Sequence, residues 1–351
     1  MICGLQKYIE LFKSHFKSKS QTHQTSAADS EAELDSKTPT SNTLLKSQIE
    51  KEAEESDMSP SATDNPQTHE STPSIGAGRL AGKVALITGS GRGMGAGMAL
   101  ELAAQGASVV INYAKSAGKA EEVVAKIQKL GSKAIAVQAN VSKPAEVAKL
   151  FDEAIAYFGH LDIVISNSGT EIFKHEEDVT EEDFDYIFNL NCKAQFFVAQ
   201  NGLKHISPGG RIILMSSVAA TMSGIPNHAL YAGSKAAVEG FTRSFSVDCG
   251  FKGVTVNAIA PGGVKTDMFT ENAWHYVPGA DKDWPAAKIE AGIANFCPLK
   301  RVGVPEDIAK AVALLVSPDA EWINGMFYLV FFFLSLIILK LPLMSPRRPS
   351  H

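Results

Sequence analysis

An alternation of apolar strand-like runs with helical patterns, repeated between residues 79 and 325, constrains the fold of this chain more than any other feature. Helical patterns over Met94–Gln105, Ala120–Leu130 and Ala145–Phe158 separate the first four runs. Strands that alternate with helices pair in parallel, so the sequence predicts an α/β domain with a doubly wound parallel sheet and helices on both faces. The predicted strands are Val84–Thr88, Ser108–Asn112, Ala134–Gln138, Asp162–Ser166, Arg211–Met215 and Val254–Ile259.

The N-terminal region differs from this domain in composition. Residues 21–78 are rich in Ser, Thr, Asp, Glu and Gln, with too few large apolar side chains to offset the entropy cost of ordering. We therefore expect a disordered extension over 1–78, whose acidic excess accounts for the formal net charge of −5. The extension begins with either a membrane-surface or targeting helix or a marginal helix without a role. Four apolar residues recur there at helical spacing beside lysines: Leu5, Ile9, Phe12 and Phe16.

The C-terminal region, 326–351, also departs from the alternating pattern. Trp322 to Leu339 is uncharged and strongly apolar, with a length at the lower threshold for a membrane span. The alternatives are a final strand over Met326–Phe331 followed by an apolar tail, or an aberrant end that destabilises the domain. We therefore keep membrane contact through 322–341 as an alternative to a cytoplasmic protein.

Charge and cysteine use argue against several classes of protein. Beyond residue 78 the charges balance, and no basic stripe indicates nucleic-acid binding. The cysteines lie far apart and form no Cys-x-x-Cys pair, so we expect neither a disulfide framework nor a metal site. A reducing compartment, such as the cytoplasm, fits this pattern. The four residues are Cys3, Cys192, Cys249 and Cys297.

A glycine-rich turn follows the first predicted strand and opens the first predicted helix. It reads Thr88-Gly-Ser-Gly-Arg-Gly-Met-Gly95, and its small residues allow the backbone to approach a pyrophosphate at a helix N-terminus. NAD sites usually carry an acidic residue after the second strand, but Gly106–Gly118 contains none. The cations Arg92 and Lys115 favour the 2′-phosphate of NADP, unless they are ordinary solvated charges.

Tyr231 and Lys235 are four residues apart, a spacing that places both on one face of a helix. A free tyrosine has a pKa of ~10. We expect the neighbouring ammonium to lower that pKa and to tune Tyr231 for proton transfer to a ketone. Alone, such a pair is a common accident. Ser216 and Ser217 strengthen it, because they follow the fifth predicted strand, where a hydroxyl can reach a substrate oxygen. The spacing to the strand favours Ser217 only modestly.

Residues from about Leu80 to Gly325 resemble the short-chain dehydrogenase/reductase family. The resemblance implies a Rossmann fold over 79–325, NADPH as cofactor, a small-molecule ketone as substrate, and a homodimer or homotetramer. The motifs that carry it are Thr88-Gly-x-x-x-Gly93-x-Gly95, Ser166-Asn-Ser-Gly169, Asn191, Ser217, Tyr231-x-x-x-Lys235 and Pro261-Gly-Gly263.

The same resemblance implies a role for each matching position. Ser217 polarises the carbonyl and Tyr231 passes the proton. Lys235 binds the nicotinamide ribose, and Asn191 holds a water behind Lys235. With the neighbouring positions included, the residues expected at the cofactor are Gly89, Arg92, Gly93, Met94, Gly95, Asn112, Tyr113, Lys115, Ser116, Asn140, Val141, Asn167, Gly169, Tyr231, Lys235, Pro261, Gly262, Val264 and Thr266.

A closer similarity is to fungal hydroxynaphthalene and versicolorin reductases, which reduce aromatic polyketide ketones with NADPH. It rests on segments such as Asn112-Tyr-Ala, Gln195-Phe-Phe-Val-Ala and Gly262-Gly-Val-Lys-Thr-Asp-Met. Thr266–Phe296 is the expected substrate lid, whose aromatic side chains either stack on a fused-ring substrate or pack the lid onto the core. The expected substrate contacts are Ser217, Met268, Trp274 and Tyr276.

Three functions are compatible with these features. The leading hypothesis is an NADPH-dependent reductase of a cyclic, polyketide-like ketone, with Tyr231 as proton donor. The second is a catalytically idle NADP-binding or scaffold protein, because Met326–Leu341 does not continue the Asp-Gly-Gly-like terminus that the family normally carries. The third is the same reductase tethered to a membrane by its C-terminal segment.

Overall fold

Seven strands form one parallel sheet in the part of the chain that the structure describes. The computed structural model describes residues 78–222 and 225–330, so the predictions for the N-terminal extension and for residues after Val330 lie outside it. The strand order is β3-β2-β1-β4-β5-β6-β7, and every neighbouring pair is parallel, which confirms the predicted doubly wound sheet. The strands are β1 Val84–Ile87, β2 Ser108–Tyr113, β3 Ala134–Gln138, β4 Ile163–Ser166, β5 Arg211–Met215, β6 Thr255–Pro261 and β7 Phe327–Val330.

Helices cover both faces of this sheet. Helices α1, α2 and α9 pack on one face, and α3, α5 and α6 pack on the other, each layer closing over its own apolar core. The bounds are α1 Gly93–Ala104, α2 Ala117–Lys129, α3 Pro144–Phe158, α4 Glu181–Phe188, α5 Ala194–His205, α6 Ala229–Asp248, α7 Asp267–Asn272, α8 Ala286–Ala294 and α9 Pro305–Val316.

The central strands can be recognised in the sequence because they are buried. Every residue of β1, β4 and β5 is buried. A strand that is covered on both faces is apolar along its whole length instead of alternating with polar residues. The continuous apolar runs of the sequence therefore mark the centre of the sheet.

The strand order creates a crevice at the carboxyl edge of the sheet. After β3 the chain returns across β1 and adds β4 on its other side. The connections that leave β1 and β4 therefore diverge. Ligands of open α/β sheets bind at such a switch point, outside the carboxyl ends of the strands.

The terminal strand β7 completes the sheet and ends five residues beyond the predicted domain boundary at Gly325. The Asn324 side chain accepts a hydrogen bond from the Val256 backbone (2.8 Å) and donates one to the Ser246 carbonyl (3.0 Å). The Gly262 N–H donates to the Val330 carbonyl (3.0 Å), and β6 runs to Pro261, two residues past its predicted end. The strand that we gave as one alternative over Met326–Phe331 is thus formed over Phe327–Val330, and the altered terminus on which the hypothesis of an idle protein rests continues beyond the described residues.

Two further observations concern the predicted lid and the predicted membrane contact. A separate apolar cluster holds Ala273, Val277, Ile293 and Val302 together, with Phe269, Tyr276 and Trp284 packed against it. All of these residues except Val302 lie within the predicted lid, so several lid aromatics do pack internally. Across residues 78–222 and 225–330, no helix combines the length and the apolar character that a membrane crossing needs.

Candidate active site

The glycine turn between β1 and α1 has a backbone that larger residues could not adopt. Gly93 has φ +55°, in the left-handed region that favours glycine. A Cβ on Gly95 would lie 2.5 Å from the Gly89 carbonyl oxygen and 2.8 Å from the Ser90 Cα. Because both neighbours are backbone atoms, neither can move aside cheaply. The turn therefore keeps its N–H groups open to a ligand at the start of α1.

Two asparagines hold this turn in place. The Asn112 Oδ1 accepts a hydrogen bond from the Gly89 N–H (3.1 Å), and its Nδ2 donates to the Ala139 carbonyl (3.0 Å). The Asn167 Nδ2 donates to the Thr88 carbonyl (2.9 Å) and to the Gly89 carbonyl (3.2 Å). Asn112 is buried, so its side chain braces the turn from within the sheet. Asn167 faces the cavity that opens beside the turn.

The start of α1 is free of acidic residues, which suits an anion at its positive end. Arg92 lies there, but its guanidinium donates to the Asp267 carboxylate over 2.7 Å, and Lys119 lies 3.8 Å from the same carboxylate. Both side chains of the Arg92–Asp267 pair are more than half exposed. No pattern in the sequence places Asp267 beside this turn.

Ser216 and Ser217, which the sequence leaves as competitors, have different environments. The Ser216 hydroxyl donates to the Lys235 carbonyl (3.1 Å) and lies 3.2 Å from the Glu239 carboxylate. Both serines line the cavity, and the Ser217 Oγ accepts only from the Ala219 N–H (3.2 Å) among the described residues. Ser216 is thus committed to packing β5 against α6, and Ser217 is the serine whose hydroxyl remains for a ligand.

Helix α6 presents both Tyr231 and Lys235 to the same cavity. The Lys235 ammonium donates to the Met215 carbonyl at the end of β5 (2.9 Å) and lies 5.6 Å from the centre of the Tyr231 ring. Burial lowers the pKa of Lys235 to about 8. The ammonium is therefore anchored at the carboxyl edge of the sheet and titrates close to neutral pH.

The pKa of Tyr231 is raised in this structure, whereas we expected the neighbouring Lys235 to lower it. Burial raises the pKa of Tyr231 above its usual range, and the nearby charge of Glu171 raises it further. The nearby Ser217 hydroxyl offsets only part of this increase in pKa. Tyr231 is therefore held in its protonated form, the form that can donate a proton.

Asn191 lies in a π-helical turn, Asn189–Lys193, inserted between α4 and α5. Its Oδ1 accepts from the Thr170 N–H (2.9 Å), and its Nδ2 donates to the Thr170 carbonyl (2.8 Å) and to Ser234 Oγ (3.0 Å). The side chain thus ties the loop after β4 to α6. Such turns are rare and occur frequently at functional sites, but their position leaves no signal in sequence periodicity.

The structure reveals three polar residues that sequence reasoning does not bring together. Tyr276 donates to Oε1 of Glu171, and the Nε2 of His228 lies 3.0 Å from the same oxygen. The His228 ring stacks on the ring of Tyr231 with centroids 4.9 Å apart. The sequence predicts Tyr276 at the substrate, whereas it does not single out Glu171 or His228. The three come from distant segments, and no spacing pattern predicts their meeting.

The remaining predicted residues divide into two groups. Trp274 stacks on His275 (3.5 Å between centroids) and lies off the described wall of the cavity. The Asn140 Oδ1 accepts a hydrogen bond from the Ser142 N–H (3.1 Å). Asn140 also lies outside that wall, and so do Tyr113, Lys115, Ser116 and Val141. The predicted residues that do line it are Met94, Asn167, Gly169, Ser217, Tyr231, Lys235, Pro261, Gly262, Val264, Thr266, Met268 and Tyr276.

Comparison with known proteins adds to this geometry. Residues 89–330 match the family model described as enoyl-(acyl carrier protein) reductase. The chain is 66% identical over 251 residues to hydroxynaphthalene reductase-like protein Arp2 of Metarhizium acridum, with 72% of this chain and 94% of that protein covered. It is 62% identical over 273 residues to tetrahydroxynaphthalene reductase PfmaG of Pestalotiopsis fici, with 76% and 96% covered.

A solved structure shows the same fold. It is the crystal structure of a short-chain dehydrogenase from Burkholderia cenocepacia in complex with NADP. The two chains are 37% identical and align with a TM-score of 0.65, over 72% of this chain and 98% of that one.

Proposed function

Because the chain belongs to the short-chain dehydrogenase/reductase family, we propose that it uses NADPH to reduce a ketone of an aromatic, polyketide-like substrate to an alcohol. The observation that carries the proposal is the convergence of Ser217, Tyr231 and Lys235 on one cavity at the carboxyl edge of the sheet. Three groups from β5 and α6 there combine a hydroxyl donor, a protonated phenol and an ammonium beside the glycine turn.

The residues at the turn fit a dinucleotide. A Cβ at position 95 would collide with the backbone of Gly89 and Ser90, so glycine is needed there. The start of α1 offers N–H groups, and its first turn carries no acidic side chain. The pyrophosphate would rest on the turn, Asn167 and Gly169 would line the middle of the cleft, and Lys235 would hold the nicotinamide ribose. NADPH, when bound, supplies the hydride.

The protein's own groups manage the proton and the developing negative charge. Tyr231, which burial and Glu171 keep protonated, donates its phenolic proton to the carbonyl oxygen. Ser217 donates a hydrogen bond to the same oxygen, and the Lys235 ammonium stabilises the phenolate that Tyr231 leaves behind. Asn191 is the positioning residue that keeps the loop after β4 against α6.

The cavity walls fit a flat ring system. Apolar side chains line the cavity together with the polar groups named above, so an aromatic substrate would bury its faces against them. The named relatives are hydroxynaphthalene and tetrahydroxynaphthalene reductases, which supports the choice of a fused-ring substrate. The apolar residues of the wall include Met222, Met268, Phe269, Ile293 and Phe296.

The test is turnover by the purified full chain. NADPH and NADH are titrated in parallel by fluorescence, and the loss of NADPH absorbance is then followed with 1-tetralone and its hydroxylated derivatives as ketones. We expect tighter binding of NADPH and reduction of at least one bicyclic ketone. Cofactor binding without turnover of any ketone would contradict the proposed reductase and favour the idle protein.

A further inference from the structure

Glu171 is fixed by a cluster of aromatic and polar side chains beside the proton donor. Its Oε1 receives the hydroxyl of Tyr276 and lies 3.0 Å from Nε2 of His228, the distance at which an Nε2–H donates. The Glu171 side chain is only 5% exposed and that of His228 only 3%. A carboxylate this buried is retained only where hydrogen bonds compensate its desolvation.

The ring of His228 cannot rotate freely, because it lies between two other rings. Phe173 stacks on one side with centroids 4.4 Å apart and planes 6° apart, and Tyr231 lies 4.9 Å away. Tyr276 meets Phe173 edge-on at 5.4 Å. The packing therefore fixes the position of the Glu171 carboxylate relative to the proton-donating Tyr231.

The two oxygens of Glu171 are used differently. Within the described residues, both hydrogen bonds go to Oε1, and Oε2 has no protein donor. Glu171 and Tyr276 both line the cavity that Tyr231 and Ser217 share. The carboxylate thus leaves one acceptor for a ligand in a cavity whose wall also includes Met and Phe side chains.

We propose that Glu171 is a specificity-determining residue, whose Oε2 accepts a hydrogen bond from a phenolic hydroxyl on the substrate ring, away from the reacting carbonyl. The proposal rests on the reductase function proposed above. Since Glu171 and Tyr231 are held together through His228, the fixed separation selects a particular spacing between that hydroxyl and the ketone. The site would take a neutral hydroxyarene and repel a carboxylate or phenolate at the same place.

The chemistry of the cavity favours a hydroxyl over other donors. A flat aromatic ketone would pack against the apolar walls of the cavity. A hydroxyl on its ring is an uncharged hydrogen-bond donor. A hydrogen bond from a neutral donor to a carboxylate is stronger than one between neutral groups. A substrate without the hydroxyl would leave a buried acceptor unsatisfied, which lowers its kcat/KM by about 10- to 100-fold.

The experiment compares ketones that differ in one group. The full-length protein with NADPH is assayed on 1-tetralone, on its monohydroxy ring isomers and on the matching methoxy isomers. We expect one hydroxy isomer to exceed both 1-tetralone and its own methoxy ether by about 10- to 100-fold in kcat/KM. Because methylation removes the donor from the ligand, this arm needs no protein variant.

The protein arm uses Glu171→Gln, with Glu177→Gln, an exposed acid on the same connection, as the matched control. We expect Glu171→Gln to reduce the hydroxy-to-methoxy ratio toward 1, while Glu177→Gln keeps the wild-type ratio. Equal kcat/KM for the hydroxy and methoxy isomers in the wild type would overturn the inference, as would a ratio that survives in Glu171→Gln. If the wild type reduces no ketone of the series, it is the proposed reductase function that fails.

Discussion

One end of the cleft is built on the backbone of a single glycine turn, whereas at the other end buried side chains from three distant segments meet. The turn spans residues 88–95 and depends on the absence of side chains, as at Gly95. The substrate end joins Glu171, His228 and Tyr276 through hydrogen bonds and stacked rings. The first end therefore depends on the backbone geometry of one local turn, whereas the second depends on tertiary packing between distant segments.

The two ends meet at Tyr231 and Lys235, where the pKa shifts of both groups favour the neutral form. Glu171 raises the pKa of Tyr231, together with burial, and so favours its neutral form. Burial lowers the pKa of Lys235 and so reduces the fraction of Lys235 that carries a positive charge, a charge that would favour the phenolate. Both effects favour a tyrosine that gives up its proton only as negative charge develops on the substrate oxygen.

The largest expected effect comes from removing the group at which the two ends meet. In Tyr231→Phe the phenolic hydroxyl is lost and the ring keeps its stacking on His228. We expect kcat for ketone reduction to fall by roughly 10²- to 10⁴-fold, the usual contribution of general acid catalysis, with little change in NADPH affinity. Steady-state kinetics and a fluorescence titration measure the two quantities. Undiminished turnover would rule out the acid role.

The cofactor end is tested at Gly95. In Gly95→Ala the new Cβ would lie 2.5 Å from the Gly89 carbonyl oxygen, so the turn must shift. Overpacking of this kind costs about 1–3 kcal/mol, and we expect the Kd for NADPH to rise by about 10-fold or more.

Gly118→Ala in α2 is the matched control for this prediction, because its Cβ would meet nothing within 4 Å. It should bind NADPH as the wild type does. Equal affinities in the two variants would show that the turn does not need its tight backbone approach.

The same contrast explains how much of the molecule can be predicted from its sequence. The sheet, the glycine turn and the Tyr231–Lys235 pair are local patterns, because their residues lie within one element or one connection. Because whole strands are buried, they can be recognised in the sequence as continuous apolar runs. The sequence alone therefore predicts the parallel sheet and the position of the glycine turn between β1 and α1.

The substrate end cannot be predicted in this way, for a physical reason. Glu171, His228 and Tyr276 are separated by dozens of residues, and each type is common in solvated loops. The Asp267 partner of Arg92 and the π-helical turn around Asn191 are hidden in the same way. The sequence predicts Asn112 at the cofactor, but its hydrogen bonds run inward to the turn and to β3. Only tertiary packing decides these contacts.

A smaller effect is expected from pH, at the junction of the two ends. Burial lowers the pKa of Lys235 to about 8, so its ammonium is lost as the pH rises through that value. We expect the affinity for NADPH to decrease above pH 8, by up to about 10-fold per pH unit, because a neutral amine binds the ribose hydroxyls less well. Titrations across the range measure the step. The same step in Lys235→Met would assign it to another group.

The smallest effect concerns the entrance of the cofactor end. Arg92 is paired with Asp267 over 2.7 Å, and both side chains are largely exposed. Exposed pairs contribute at most about 1 kcal/mol. Asp267→Asn should therefore release Arg92 for the 2′-phosphate and lower the Kd for NADPH by less than about 5-fold, with no change for NADH. If Arg92 contacts that phosphate, the gain disappears when Arg92→Ala is added. A gain that persists without Arg92, or one shared equally by NADH, would mean that the cofactor preference arises elsewhere in the turn.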